Sequence, residues 1–270
     1  MLTERQREII AIAVAETGVG VDDLAARFEV TPQTIRRDLN ALCDRGLLAR
    51  THGGARPINS VSNVEYEDRH TAYADEKRRI GMAAASLISP RTSLIINIGT
   101  TTEQVARAIY DHHDLVVITN NINVVNILSG SPAKELILAG GVVRQTDGGV
   151  VGEAAVEFIR QFRADLAVIG ASAVEEDGAV LDFDYREVSV ARAIIENARR
   201  VMLVFDHSKF ERRATVRICE IDQIDLIVTD REPSARFRAR CERDGVEIVV
   251  ADETPSAQAQ PVMGALAQRP

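Results

Sequence analysis

"TPQTIRRDLNALCDRGLLARTHGGARPI", residues 31–58, changes its period halfway along, and that change decides the fold of the N-terminal part. Its first half repeats apolar residues at helical spacing, so Ile35, Leu39 and Leu42 share one face. Thr31 stands as an N-cap and Pro32 takes the first helical position, where a missing N–H costs nothing. Gln33, Thr34, Arg36, Arg37 and Asn40 then point largely outward. After Gly46 the pattern becomes two short extended pieces around His52-Gly53-Gly54, the signature of a hairpin.

Upstream, "LTERQREIIAIAVAE" puts Ile9, Ile10, Ala13 and Val14 on one helical face behind a Thr3 cap, and Gly18 and Gly20 end it. "VDDLAARF" follows as a short helix with Leu24 and Phe28 turned inward. Three helices and a hairpin predict a winged helix-turn-helix over residues 1–56. The 270-residue chain carries a net charge of -8, which argues against coating nucleic acid or membrane by bulk charge. Residues 1–60, however, balance 8 basic against 8 acidic residues, and Arg36, Arg37, Arg45, Arg50 and Arg56 face only Asp38 and Asp44 over the third helix and hairpin. Such a local basic surface suits major-groove reading, with Gln33, Thr34, Arg36, Arg37 and Asn40 toward bases or phosphates and Arg50 and His52 on the wing. The plainer alternative pairs those arginines with Asp38 and Asp44 or leaves them in water.

Residues 57–74 show no sustained period and are expected to be a linker. From residue 75 to 252, near-continuous apolar strands ("SLIINI", "LVVIT", "ELILAGG", "DLAVIGAS", "RVMLVFD", "DLIVTD", "VEIVV") alternate with helical patterns, which predicts a largely parallel sheet covered on both faces. Ligands of such sheets lie at the carboxyl ends of the strands. There, Gly99 permits close backbone approach, and Thr100, Thr101 and Thr102 offer hydroxyls and N–H groups at a helix start, a setting for a phosphate or carboxylate. Asn120, Asn121, Gly140, Gly141 and Arg144 follow other strands, Lys209 adds a cation, and Asp182, Asp184 and Glu187 are candidates to accept hydrogen bonds from hydroxyls. The acidic trio reads equally as a helix N-terminal cluster favoured by the helix dipole. Residues 253–270, rich in Pro, Ala and Gln, are expected to be a disordered tail.

No metal site is expected, since His112 and His113 are adjacent rather than one helical turn apart. Cys43, Cys219 and Cys241 are widely spaced and read as reduced residues of a cytoplasmic protein, and no apolar run approaches the roughly 18 residues of a membrane span. Neither a GxSxG elbow, a GxGxxG turn nor a P-loop is present, so the chain is expected not to be an enzyme and to need no cofactor.

"TPQTIRRDLNALCDRGLLARTHGGA" resembles the helix-turn-helix signature of the DeoR family of bacterial transcriptional repressors, with Thr34, Ile35, Arg36, Arg37, Asp38 and Leu39 at the motif core. Further family-like segments recur in order as "EKRRIG", "IGTTT", "VITNN", "LAGG" and "DHSKF", so the resemblance spans nearly all of residues 1–232. It implies a larger α/β sensor domain resembling the ribose-5-phosphate isomerase and CoA-transferase folds. It further implies a repressor of glycerol or glycerol-phosphate utilisation genes, a homo-oligomer (dimer or tetramer) that leaves operator DNA when glycerol 3-phosphate binds. A different sugar phosphate as effector, or an isomerase-like enzyme using Asp182, Asp184 or Glu187 as base, are the alternatives. The sequence departs from the family pattern at Asn97, where aspartate is more usual, and at Ala173, where glycine is.

Overall fold

The structure, a computed structural model, describes residues 2–16, 18–44, 47–51, 53–57, 66–131 and 134–251. The expected tail at 253–270 lies outside them, as do Arg45 and His52. The N-terminal domain comprises α1 (Glu4–Ala15), β1 (Val19–Gly20), α2 (Val21–Arg27), α3 (Pro32–Asp44), β2 (Leu48–Thr51) and β3 (Gly54–Pro57). Thr3 caps α1 in a reciprocal capping box with Gln6, and the Thr31 hydroxyl accepts the Thr34 N–H at 3.3 Å. Ile9, Ile12 and Ala13 of α1, Leu24 of α2, Ile35, Leu39 and Leu42 of α3, and Leu48 and Ala55 of the hairpin form one core. The expected helix breakers around Gly18 do more than end α1. Val19–Gly20 pair antiparallel with Gly54–Ala55, giving a three-stranded sheet in the order β1-β3-β2. A Cβ on Gly54 would lie 1.9 Å from the Val19 carbonyl oxygen, so only glycine lets these strands meet.

Residues 66–71 form a helix, α4 (Tyr66–Thr71), inside the expected linker, and α5 (Ala74–Ser86) follows at once. None of the residues of α4 is buried, which is why no apolar period announces it. The chain then runs β4 (Ser93–Ile96), α6 (Thr100–Ala108), β5 (Leu115–Thr119), α7 (Ile122–Leu128), β6 (Lys134–Leu138), β7 (Val142–Arg144), β8 (Gly149–Val151), α8 (Glu153–Ile159), β9 (Ala164–Ile169), β10 (Ala173–Val174), β11 (Ala179–Asp182), α9 (Tyr185–Glu196), β12 (Ala198–Val204), β13 (Val216–Glu220), β14 (Leu226–Thr229), α10 (Ala235–Asp244) and β15 (Glu247–Val250).

Among the described residues, seven strands form a parallel sheet in the order β15-β14-β12-β9-β4-β5-β6. Strands such as Leu94-Ile95-Ile96 and Val201-Met202-Leu203-Val204 are apolar on both faces because helices cover both. Alternate side chains serve two cores, one around Ile80, Val105 and Ile109 and the other around Ile194, Phe205 and Phe237. Two small antiparallel sheets, β7-β8 and β10-β11-β13, add to the expected parallel one. The strand order reverses between β4 and β9. A ligand of an open α/β sheet is held at such a reversal, outside the carboxyl ends of the strands.

Candidate functional site

On the N-terminal domain, Gln33, Arg36, Arg37 and Asn40 of α3 are exposed and Thr34 is half-buried. Asp38 does not neutralise its neighbours. It is buried against α1, accepting from Arg5 Nε at 2.6 Å and from Gln6 Nε2 at 3.1 Å. Among the described residues Arg36 and Arg37 make no ion pair, and Asp38, one of the two acidic partners that the plainer reading named, is engaged elsewhere. Arg50 of β2, also exposed, donates to the Asn40 side chain and so ties the wing to α3.

The second constellation lies at the sheet reversal. Between β4 and α6 the chain turns through Gly99 at φ 149°, a backbone that favours glycine, and Gly99 caps α6 without any side-chain bond. The first N–H groups of α6 have no intrahelical acceptor and carry the positive end of the helix dipole. Thr100, Thr101 and Thr102 are buried here. The Thr102 hydroxyl is committed to the loop itself, 2.8 Å from the Asn97 carbonyl and 2.7 Å from that of Gly99. Thr102 thus shapes the anion loop, and the open hydroxyls belong to Thr100 and Thr101.

Lys209 follows β12 in a 3-10 turn (His207–Glu211) and is 7% exposed, with no hydrogen bond or ion pair from its ammonium among the described residues. Burial and the Arg212 guanidinium hold its pKa well below the usual lysine value. Lys77 of α5, 2% exposed, is brought down to about 8 by burial. Arg212 is lowered for the same reason, and its Nη1 is buried without a partner. Arg69 of α4 adds a fourth cation within electrostatic reach of the other three. Asp206 is set among them; its Oδ1 accepts from Ser208 while Oδ2 stays unpaired, and Glu103, Asp147 and Asp182 also lie within electrostatic reach of Lys77, Arg69 and Lys209. Cations gathered beside helix-start amides that have no intrahelical acceptor are the chemistry that suits an anion. Asn97 and Asn120 contribute buried side-chain oxygens, both without partners.

Beside the cations lies a carboxylate network. Arg144 holds Asp147 in a fork at 2.8 and 2.6 Å, Asp184 at 3.0 Å and Glu187 at 2.6 Å. With its donors so occupied, Arg144 organises carboxylates instead of meeting a ligand phosphate, as its place after a strand suggested. Asp184 is committed twice over, capping α9 through the Arg186 N–H at 2.9 Å. Asp182 is 5% exposed, accepts the Phe183 N–H at 2.6 Å, and is pushed up by burial. Glu187 is pushed up by burial and by Asp182 opposite, against the pull of Arg144. Asp182 also feels Lys209 and Arg69, so it stands where the acidic and basic groups meet.

The other expected residues divide cleanly. Asn121 is structural: its Oδ1 caps α7 at the Asn123 N–H, and its Nδ2 donates to Glu103 at 3.2 Å. Gly140 and Gly141 are exposed in the turn from β6 to β7. Tyr66, Arg69, Lys77, Glu103, Asp147, Asp206 and Arg212 escaped the sequence reading. Lys77 and Arg212 stand in charged runs, "DEKRR" and "KFERR", that look solvated, and only tertiary packing buries Lys77 and half-buries Arg212. Glu103 directly follows the three threonines, a carboxylate 1% exposed that accepts from Tyr66, Asn121 and Asn123.

Among the described residues no group of His, Cys, Asp and Glu could hold a metal ion, and no helix is long and apolar enough to cross a membrane. A model of the DeoR-like helix-turn-helix domain matches residues 5–61, and one of the DeoR C terminal sensor domain matches residues 72–231. The chain is 46% identical over 231 residues to the glycerol-3-phosphate regulon repressor of Escherichia coli (strain K12), covering 86% of this chain and 92% of that one. Identity to the repressor of the same description from Haemophilus influenzae is 43% over 229 residues, 85% and 89% of the two chains. Among solved structures, ribose 5-phosphate isomerase A from Methanocaldococcus jannaschii overlaps 52% of this chain and 55% of its own at 14% identity, with a TM-score of 0.39. With both of its domains matched and such relatives aligned over most of its length, the chain belongs to the DeoR family.

Proposed function

We propose that the protein is a cytoplasmic, homo-oligomeric transcriptional repressor that binds operator DNA through α3 and the wing and is released by glycerol 3-phosphate. The observation that carries the effector reading is the cluster of cations, the buried Lys77 and Lys209 and the half-buried Arg212, beside the α6 amides that have no intrahelical acceptor. A phosphate monoester carries close to two negative charges at neutral pH, which suits such a cluster better than a neutral sugar. The phosphate then lies on the Gly99–Thr101 amides and the cations, and the glycerol hydroxyls extend toward Asp182 and Asn120. The similarity to glycerol-3-phosphate regulon repressors favours this polyol over a longer sugar phosphate.

Operator recognition draws on the exposed Gln33, Arg36, Arg37 and Asn40, with Arg50 set against Asn40 for a phosphate contact. A single reading head of this size binds weakly, and pairing two heads in an oligomer multiplies affinity through effective concentration. Effector binding weakens the operator complex by a coupling of about 1–3 kcal/mol. Sensing proceeds without turnover on this reading, in keeping with relatives that are repressors and with Asp184 and Glu187 tied to Arg144.

Thermal unfolding with glycerol 3-phosphate, ribose 5-phosphate, glycerol and inorganic phosphate in parallel tests the ligand. Glycerol 3-phosphate raises the midpoint most, and a larger shift with ribose 5-phosphate redirects the assignment to a sugar phosphate. NMR spectra of either phosphate incubated with the protein stay unchanged; a new product signal contradicts the non-enzymatic reading.

A further inference from the structure

Helix α4 is held by polar ties into the effector site, and apolar packing contributes nothing buried to it. A helix of six residues is far below the length that is stable alone, so its partners set its position. Three such ties stand out among the described residues. The Tyr66 hydroxyl donates to Glu103 Oε2 at 2.8 Å and accepts from Asn123 Nδ2 at 3.1 Å. Arg69 Nη2 reaches Asp147 Oδ2 at 3.3 Å, a longer contact than the two Arg144 makes to the same carboxylate. The Lys77 ammonium donates to the carbonyls of Arg69 and of Ala72, the latter at 2.7 Å, closing the C-terminal turn of α4.

Each tie is also part of the site. Glu103 lies in the first turn of α6, whose amides face the anion position. Lys77 and Arg69 belong to the cation group around Asp206 and Lys209. The covalent connection matters as much: β3 ends at Pro57, and every chain link from the DNA-reading domain to the sensor passes through α4.

We propose that α4 is the element that reports effector occupancy to the DNA-reading domain, with Arg69 as a direct ligand of the effector's anionic group and Tyr66 as a positioning residue. This rests on the reading of the site as one for a phosphorylated polyol. An anion seated among the cations draws Arg69 away from its long contact to Asp147, which Arg144 already satisfies. It also competes for the Lys77 ammonium that closes the helix. α4 then settles in a new position set by the ligand, and the attached reading head is presented differently to its half-site. Coupling through a poorly packed helix needs little energy to move it, and its two positions are set by polar contacts that the ligand changes.

The test separates affinity from coupling in the full-length protein. Glycerol 3-phosphate binding is measured by calorimetry, and operator affinity by fluorescence anisotropy with and without saturating glycerol 3-phosphate. Wild type releases operator by about 5- to 150-fold. Tyr66→Phe keeps glycerol 3-phosphate affinity within about 3-fold, because the hydroxyl touches Glu103 and not the ligand, yet its release factor falls toward one, losing a hydrogen bond to a charged group worth roughly 10-fold or more. Arg69→Gln binds glycerol 3-phosphate roughly 10- to 100-fold more weakly, and Arg69→Lys recovers part of that loss by keeping the charge. A Tyr66→Phe protein with the full wild-type release factor, or an Arg69→Gln protein of undiminished ligand affinity, overturns the proposal while the functional reading stands. Failure of wild type to bind glycerol 3-phosphate at all overturns the functional reading itself and the proposal with it.

Discussion

Lys209 is buried without a hydrogen-bonded carboxylate, an arrangement that costs the fold and, on the proposed function, is offset by the effector's anion. Replacing it with an apolar residue of similar length therefore separates stability from sensing. Lys209→Met leaves the ligand-free midpoint of unfolding unchanged or higher, and it removes the rise that glycerol 3-phosphate gives to wild type. A ligand-free midpoint several degrees lower would mean that the lysine is a structural partner of Asp206.

Lys77 makes the same point through pH. Its folded pKa of about 8 lies below the ordinary 10.5, so between these values the unfolded chain binds the proton that the folded one has released. Stability from this group therefore rises with pH across that window, by on the order of 3 kcal/mol if the whole shift is expressed. Effector affinity moves the opposite way, falling as pH climbs through about 8 and the ammonium loses its charge. Denaturant melts and calorimetry at pH 7.5, 8.5 and 9.5 read both trends. Lys77→Met flattens the stability trend, and a wild-type stability that drops steadily over this window contradicts the assignment.

At the scale of elements, α3 was legible from sequence because cap, proline and apolar period agree over 13 residues. The same periodicity assigned its outward residues correctly, yet it could not say that Asp38 turns back to Arg5 and Gln6 of α1, a contact 33 and 32 residues away in the chain. That contact keeps Asp38 from pairing with Arg36 and Arg37, which the proposed function assigns to DNA. Arg37→Ala lowers operator affinity by about 1–3 kcal/mol if it reads a base, and it leaves glycerol 3-phosphate affinity unchanged. Anisotropy and calorimetry on the same preparation check this; an Arg37→Ala protein that binds operator as wild type does removes the residue from the interface.

Elements without a period of their own stayed hidden. β1 is two residues long, too short to alternate, and is defined only by pairing with β3. α4 has no buried face, so its sequence reads as a linker although Tyr66 and Arg69 enter the site. The Gly99 turn, by contrast, was legible as a glycine-bearing strand-to-helix turn from composition and place. What composition could not divide was labour within it: Thr102 bonds the loop carbonyls, and Glu103 ties α6 to α4.

At the scale of the whole molecule, a reading head and a sensor share one chain, joined through a short helix that is seated by the sensor's own charged groups. The parallel sheet was readable from its apolar strands, and its reversal between β4 and β9 places Gly99 where ligands of such sheets lie. The clustering of cations at that point was not readable, because Lys77 comes from a different segment from Lys209 and Arg212 and meets them only in the fold. Reciprocity then follows from linkage: if the effector weakens operator binding, operator weakens effector binding by the same factor.

The central claim is that one polyol phosphate, held by these buried cations, releases the protein from DNA. Its most direct measurement is the operator dissociation constant of the full-length protein, by fluorescence anisotropy at fixed salt, in the absence and presence of saturating glycerol 3-phosphate. The constant rises by about 5- to 150-fold for wild type and stays constant for Lys209→Met. An operator affinity that glycerol 3-phosphate leaves unchanged in wild type, or that Lys209→Met loses to the same extent as wild type, contradicts it.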